Sequence, residues 1–249
     1  MNQGIFRISS QFAAMPRGLL GAPVAIPTTL ESSPFEATGI TRGLVGWWKL
    51  DETSGTLASD SSVTGMHGSV GGGLSFDGTT GVVGNCLNNM TFAAKYISVP
   101  NNAAQNFAAD FSLCVWHRSG FTFNKNNDNG FGKYEFSSRS GAGYNGFYFR
   151  TGGVTDTYPT IDRSAVVYDG NWHHCCVTRA GSSVSLYLDG VKVPVVSGTA
   201  YYNFSTNSVA MSLRSDRSLD EPRMYNRALS DLEIASLYSY RGRGAYDAP

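Results

Sequence analysis

Apolar and polar positions alternate in short runs along most of the chain. Val184, Leu186 and Leu188 alternate with Ser185 and Tyr187, followed by Asp189-Gly190 and a second run from Val191 to Val195. Asp-Gly between two such runs predicts a hairpin, because a two-residue type I′ turn needs φ > 0 at both central positions. Phe111, Leu113 and Val115 alternate with Ser112, Cys114 and Trp116, predicting a strand with both faces buried, as happens to a strand held between two layers. Similar runs rich in Val, Tyr, Phe and Leu recur from Gly43 onward between clusters of Gly, Asn, Asp and Ser. That spacing predicts an all-β fold, a two-sheet sandwich or a barrel.

One segment departs from the period of two. Ser230 to Glu233 has the S-x-x-E spacing of a capping box, with Leu229 and Ile234 at the two staple positions. A short helix is expected over about residues 231–239. Residues 1–42 follow neither period: they hold five charges (Arg7, Arg17, Glu31, Glu36 and Arg42), no Lys and four prolines, together with apolar residues such as Ile5, Phe6, Phe12, Leu19, Leu20 and Phe35. This segment reads as an extended docking arm, richer in apolar groups than a solvated linker. Residues 241–249 read as a flexible tail.

Composition narrows the partners. With 19 Lys+Arg against 19 Asp+Glu the formal net charge is zero, so the electrostatic footprint of a protein that grips phosphate backbones is missing and nucleic acid is not an expected partner. Only 15% of residues are charged while 29 are Gly, a balance suited to strands and turns, since helical bundles expose faces of Glu and Lys. No apolar run reaches the roughly 18 residues of a membrane span. The N-terminus lacks a basic stretch followed by an unbroken apolar one, and Pro16, Pro23 and Pro27 interrupt it, so export by a signal peptide is not expected. Synthesis in a cytoplasm follows, and the four cysteines, with no CxxC or zinc-type spacing, are expected to be free buried thiols.

Four segments, taken together, carry a resemblance: GLVGWWKLDETSGTLASDSS (43–62), VGNCLNNMTFAAKYISVPNNAAQNFAADFSLCVWHRS (83–119), NWHHCCVTRAGSSVSLYLDGVKV (171–193) and LDEPRMYNRALSDLEIASLY (219–238). The chain resembles the LamG-like jelly-roll family, a branch of the concanavalin A-like lectin/glucanase superfamily, over roughly residues 43–240. The resemblance implies two antiparallel sheets face to face, with the first and last strands adjacent. Trp47, Trp48 and Trp172 are expected in the inter-sheet core, and Arg223 is expected to pair with Glu221 or Asp51.

Relatives of this family often hold one Ca²⁺ near the join of the first and last strands. The matching residues are Asp60 in the loop from Asp60 to Gly68, Asp220, and more weakly Glu52, although Val63 and Thr64 replace a Gly and an Asn of the family's loop. The competing expectation is a loop closed by Asp60 accepting backbone N–H bonds. Lectin-type sandwiches also bind sugars, and residues 120–150 offer Phe121, Phe123, Tyr134, Tyr144 and Tyr148, about half of which alternation must send into the core. The E-x-D-x-E cluster of the superfamily's glucanases is not in the sequence, and Asp51-Glu52 and Asp220-Glu221 are neighbours whose side chains are expected on opposite faces of a strand. No G-x-S-x-G elbow accompanies His173-His174. The G-x-G-x-x-G at 141–146 has no βαβ unit around it and reads as a turn.

The expectation is therefore an all-β jelly-roll sandwich without enzymatic activity. Because LamG-like domains occur in phage particles, the first functional reading is a virion structural protein, a capsid decoration or tail-associated subunit. Its 1–42 arm would contact other virion subunits, it would be oligomeric in the assembled particle, and it would display a lectin-like domain to surface glycans. The second reading is a bacterial carbohydrate-binding module with a structural Ca²⁺.

Overall fold

The computed structural model describes residues 39–91, 93–107, 109–125, 134–139, 145–151, 155–196 and 210–240. The arm up to residue 38, the tail 241–249 and Tyr144 lie outside the described residues.

Among the described residues two antiparallel sheets pack face to face. The first runs in the order β1 (Leu44–Trp47), β15 (Ser218–Tyr225), β5 (Phe111–Arg118), β10 (Trp172–Ala180), β11 (Ser183–Leu188), β12 (Val191–Val193). The second runs β13 (Val195–Val196), β9 (Thr155–Pro159), β8 (Gly146–Thr151), β7 (Tyr134–Arg139), β6 (Phe121–Asn124), β14 (Met211–Ser215), β4 (Tyr96–Val99), β3 (Gly68–Gly71), β2 (Leu57–Ala58). The first and last strands are neighbours, with Trp47 opposite Arg223. The sheets are the two layers of a jelly-roll sandwich.

Period-two alternation builds the core. Phe111, Leu113 and Val115 point inward from β5, Val184, Leu186 and Leu188 from β11, and Phe121, Phe123, Tyr134, Phe136, Phe147, Phe149, Met211 and Leu213 from the larger sheet. Aromatic contacts knit this layer, with Phe107 stacked on Phe111 at 4.8 Å and Phe121 edge-on to Phe136 at 4.7 Å. The Asp189-Gly190 turn has φ of 51° and 79°, as a type I′ hairpin requires.

The six-stranded sheet is buried on its outer side too. Helix α2 (Asp231–Ser239) begins at the capping box: Ser230 Oγ accepts from the Glu233 amide, and the Glu233 carboxylate accepts from the Ser230 amide. Leu229, Ile234 and Leu237 pack with Ile40 over Cys114, Cys176, Tyr187 and Tyr225. Residues 39–42 of the expected arm thus belong to the sandwich, held by Arg227, which donates to the carbonyls of Gly39 and Arg42. A one-turn helix, α1 (Ser164–Val167), sends Val167 into the inter-sheet core. No described helix is long and apolar enough to cross a membrane.

Three expectations need correction. Cys114 and Cys176 form a disulfide, while Cys86 and Cys175 are buried free thiols. The two half-cystines are 62 residues apart but directly opposite across β5 and β10, a pairing that only the register reveals. Of the three tryptophans only Trp48 is in the core; Trp47 and Trp172 are half-buried beneath Arg223 and Arg118, whose guanidinium carbons lie 4.7 and 5.8 Å from the respective ring centres. Finally, Asp220 and Glu221 do not follow plain strand alternation, because β15, every residue of which is buried, carries a bulge between Asp220 and Arg223 with Glu221 at φ 53°.

Candidate functional site

The outward face of the nine-stranded sheet carries rows of polar side chains. Strands that send Phe, Leu, Ile and Met inward turn the alternate residues outward, and here those are Ser69, Ser98, Ser212, Asn124, Glu135 and Arg150. Their backbones are consecutive cross-strand partners, Ser69 to Ser98 to Ser212 to Asn124 to Glu135 to Arg150. The row crosses β3, β4, β14, β6, β7 and β8. A second row sets Arg214 opposite Thr122, Thr122 opposite Ser137, and Ser137 opposite Tyr148.

Neighbouring groups hold these side chains in place. Thr122 Oγ1 and Ser137 Oγ share a hydrogen bond of 2.7 Å. The Tyr148 hydroxyl donates to Glu135 Oε1, and burial, with the adjacent Glu135 charge, pushes the Tyr148 phenol well up. The Arg150 guanidinium lies 5.3 Å from the Tyr148 ring centre and that of Arg214 lies 5.2 Å from the Tyr96 ring centre. Arg214 Nε also donates to Ser212 Oγ at 3.1 Å. Ser98, Ser212, Asn124, Glu135, Arg150 and Arg214 are half-buried, while Thr122, Ser137 and Tyr148 are buried. The face therefore offers hydroxyl, amide, carboxylate and guanidinium groups at strand spacing, about 4.8 Å. Of the aromatic residues expected to meet a sugar, Phe121, Phe123 and Tyr134 are core and Tyr148 lies on this outer face.

A second polar region, a shallow recess, lies at the end of the β14–β15 turn. It is lined by Asp77, Asn89, Thr91, Lys95, Asp216 and Arg217.

The residues expected to hold calcium sit where first and last strands meet, and each anchors a different loop. Asp60 Oδ1 accepts from the amides of Trp47 and Ser62, both at 2.8 Å. Its Oδ2 accepts from Ser62 Oγ, Thr64 Oγ1 and the Met66 amide at 2.9, 3.0 and 2.7 Å. This is the loop closed by Asp60 itself, and its lone pairs are spent within the loop. Asp220 Oδ2 accepts from the Val82 and Val83 amides, and Glu52 Oε1 from the Ser59 amide. Asp220 Oδ1 and Glu52 Oε2 are buried without a hydrogen-bond partner among the described residues. Among the described residues these three carboxylates do not converge on a common point that an ion could occupy.

Beside them is a buried charge cluster that the sequence only partly disclosed. Glu221 pairs with Arg223 and accepts from Trp47 Nε1 at 2.7 Å. Burial raises the Asp220 carboxyl well above its ordinary range, assisted by the Glu221 charge, and burial likewise raises Glu221 against the pull of Arg223. Asp51 accepts from the Asn85 amide, and a Cβ on Gly84 would overlap the Asp51 carboxylate, so this close approach requires glycine. The cluster fastens the 79–87 loop to both ends of the sandwich.

The histidines are also structural in their bonding. His173 Nδ1 contacts Asp189 Oδ2 at 2.8 Å and its Nε2 contacts Asp169 Oδ1 at 3.1 Å, so neither ring nitrogen is left to act as a base. The hydrogen bond to Asp189 raises the His173 pKa against the effect of burial. His117 is fully buried, takes the Gly120 amide on Nδ1, and is pushed down to about 3 by burial and then by His173. The Asp-His-Asp clamp was missed in the sequence although Asp169 lies only four residues before His173, and its other half, Asp189, is brought to His173 by the β10–β11 hairpin.

The model of the concanavalin A-like lectin/glucanases superfamily matches residues 92–235. The chain belongs to that superfamily. No curated protein sequence matches it. Among solved structures, the binding domain of Paraclostridial Mosquitocidal Protein 1 is similar with a TM-score of 0.61 at 19% identity, covering 81% of this chain and 53% of that one. The binding domain of botulinum neurotoxin DC in complex with SialylT gives 0.53 at 11% identity over 82% of this chain and 53% of that one. Trypanosoma rangeli sialidase, solved with 2,3-difluorosialic acid, gives 0.50 at 14% identity over 81% and 34%. The chain spans about half the length of the toxin domains it matches and a third of the sialidase. At these identities the likeness is one of fold.

Proposed function

We propose that this protein is a non-enzymatic glycan-binding module whose ligand lies along the outward face of the nine-stranded sheet. The observation that carries this reading is the unbroken cross-strand row of Ser98, Ser212, Asn124, Glu135 and Arg150. Small hydroxyls and an amide beside a carboxylate and a guanidinium match the alternating donors and acceptors of a sugar ring. Arg150 on β8 and Arg214 on β14 are separated by β7 and β6, three strand spacings or about 14 Å, which suits an oligosaccharide rather than a single ring. A guanidinium is also the group that takes a carboxylate in two parallel hydrogen bonds, so sialylated oligosaccharides are the ligand class to try first. Two structural neighbours, solved with SialylT and with a sialic acid derivative, agree with that choice.

Catalysis is not part of the reading. Glycoside hydrolysis needs an acid and a second carboxylate about 5–10 Å apart at the sugar, whereas Asp220 and Glu221 are enclosed at the strand joint and Glu135 is engaged by Tyr148. The particle context is the wider proposal: the arm up to residue 38, which holds four prolines and many apolar residues, attaches the sandwich to other virion subunits, and the module faces outward on a phage capsid or tail. Calcium has no role in the reading, since Asp60 is saturated by its own loop.

A printed glycan array including sialylated oligosaccharides, probed with the full chain at millimolar Ca²⁺ and again with chelator, tests the binding claim. Retained spots in both conditions are expected, and an array blank in both would sink it. Deletion of residues 1–38, which keeps Ile40 in its core cluster and Gly39 and Arg42 on Arg227, tests the attachment claim: the sandwich is expected to fold and keep its glycan spots while losing incorporation into particles, and undiminished incorporation would overturn the virion role.

A further inference from the structure

Beneath α2 lies a chemical group that neither glycan binding nor attachment uses. Cys114, His174 and Cys176 form the one set of three or more His, Cys or acidic side chains among the described residues whose ligand atoms could share an ion, all within 4.8 Å of one another. The fold brings them together in two ways. Cys114 and Cys176 are direct partners across β5 and β10, and His174 precedes Cys176 by two residues, so both project from the same face of β10. All three are buried, at 0%, 2% and 0% exposure for Cys114, His174 and Cys176. Trp116 walls the group, 5.0 Å from His174 between ring centres, and Tyr238 of α2 stacks on Trp116 at 5.4 Å.

Cys176 Sγ lies 3.6 Å from His174 Nε2 and 3.9 Å from its Nδ1, within reach of a shared ion once reduction has parted the two sulfurs. A zinc–thiolate bond of about 2.3 Å and a zinc–imidazole bond of about 2.0 Å at a tetrahedral angle separate the two ligand atoms by about 3.5 Å. We propose that in the reduced protein Cys114, His174 and Cys176 bind a thiophilic divalent ion of the zinc class, and that the disulfide and the metal complex are alternative closures of the same layer. Soft sulfur and imidazole ligands select such an ion over Ca²⁺ or Mg²⁺, which take oxygen.

The chemistry balances. A dithiol transfers two electrons and two protons to the Cys114–Cys176 bond, becoming a disulfide itself and leaving two thiols. The ion then binds both sulfurs as thiolates and His174 as neutral imidazole, releasing the two thiol protons. A divalent cation with two thiolates carries no net charge, and a neutral assembly is the kind an apolar layer can hold. Three protein ligands leave a fourth position to an added small ligand or water. The neighbouring Cys175 is excluded, since it faces the other side of β10 and lies 3.4 Å from His117 Nε2.

The test uses the full chain, reduced with a dithiol that is then removed by gel filtration under nitrogen, and titrated first with Co²⁺ and then with Zn²⁺. Expected are a stoichiometric sulfur-to-cobalt charge-transfer band that Zn²⁺ erases, a higher melting temperature for the reduced protein with Zn²⁺, and no band in the oxidised protein. Cys176→Ser and His174→Gln should lose at least tenfold in affinity, whereas Cys86→Ser and Cys175→Ser should bind as the parent does. Alkylation of the reduced wild-type chain with and without Zn²⁺, read by mass spectrometry, needs no variant to fold: protection is expected at Cys114 and Cys176. The absence of any charge-transfer band in reduced protein, a band of equal strength in Cys176→Ser, or protection confined to Cys86 and Cys175 would each overturn the proposal.

Discussion

The two sheets obey the same alternation and differ in what they do with their outer faces. On the six-stranded sheet the outward residues are Cys114, Trp116, Cys176, Tyr187 and Tyr225, and the chain closes that face itself with Leu229, Ile234 and Leu237 around α2. On the nine-stranded sheet the outward residues are hydroxyls, an amide, a carboxylate and two guanidinium groups, most of them only half-buried. Inner faces are equally apolar in both, so they say nothing about role. The outer faces separate a sheet that the chain covers itself from one whose polar groups stay partly exposed, and on the proposed reading substitutions should reproduce that division.

The largest effect is expected at the strand joint of the committed sheet. Arg223→Ala leaves Glu221 buried and unpaired, and removing one partner of a buried pair costs about 3–5 kcal/mol. Urea unfolding measures it, and a loss below about 1 kcal/mol would mean that the Trp47 hydrogen bond alone satisfies Glu221. Next comes Ile234→Ala under α2, expected to cost about 2–5 kcal/mol as a large-to-small core change. An effect no greater than that of an exposed position would show that α2 is not part of the stable unit.

Acid sensitivity is expected within the six-stranded sheet, where buried groups on β5 and β15 act in opposite senses. His117, on β5, has a folded pKa depressed to about 3, below its ordinary value near 6.5. Its contribution is complete above the unfolded pKa and is lost as pH falls from there towards 3, at up to about 1.4 kcal/mol per pH unit. Asp220 and Glu221 act in the opposite sense, because their raised values make the folded state bind protons first, so stability is lost as pH rises through their folded range. The readout is therefore the difference between wild type and His117→Gln across pH 3–6.5, expected to be a flatter acid limb in the variant. Parallel limbs would contradict a buried neutral His117. Smaller again, Ser230→Ala should cost about 1 kcal/mol by removing the cap of α2, checked by thermal unfolding. Smallest is Ser212→Ala on the polar face, expected within about 0.5 kcal/mol.

The architecture was legible because its signals are local. The Asp189-Gly190 turn, the two-faced strand at Phe111 to Arg118, and the helix from Asp231 to Ser239 each follow from residues within a few positions of one another. What sequence could not supply is register. The Cys114–Cys176 bond, the His173–Asp189 contact and the row from Ser98 to Arg150 all join positions by strand pairing, which no spacing in the chain discloses. The bulge at Asp220-Glu221 is a similar case: a single residue at φ 53° breaks the alternation from which opposite faces were expected. Asp60 was legible as the organiser of its loop, and the atoms it organises were legible only as a loop.

The most direct test of the polar face is a printed array of sialylated and neutral oligosaccharides probed side by side with wild type and the Asn124→Ala/Arg150→Ala double variant. The melting temperature of both is recorded first. Spots bound by the wild type and lost by an equally stable variant are the predicted result. Spots retained unchanged by the variant would contradict the account and move the ligand elsewhere, with the recess around Asp77, Lys95 and Arg217 the first place to look.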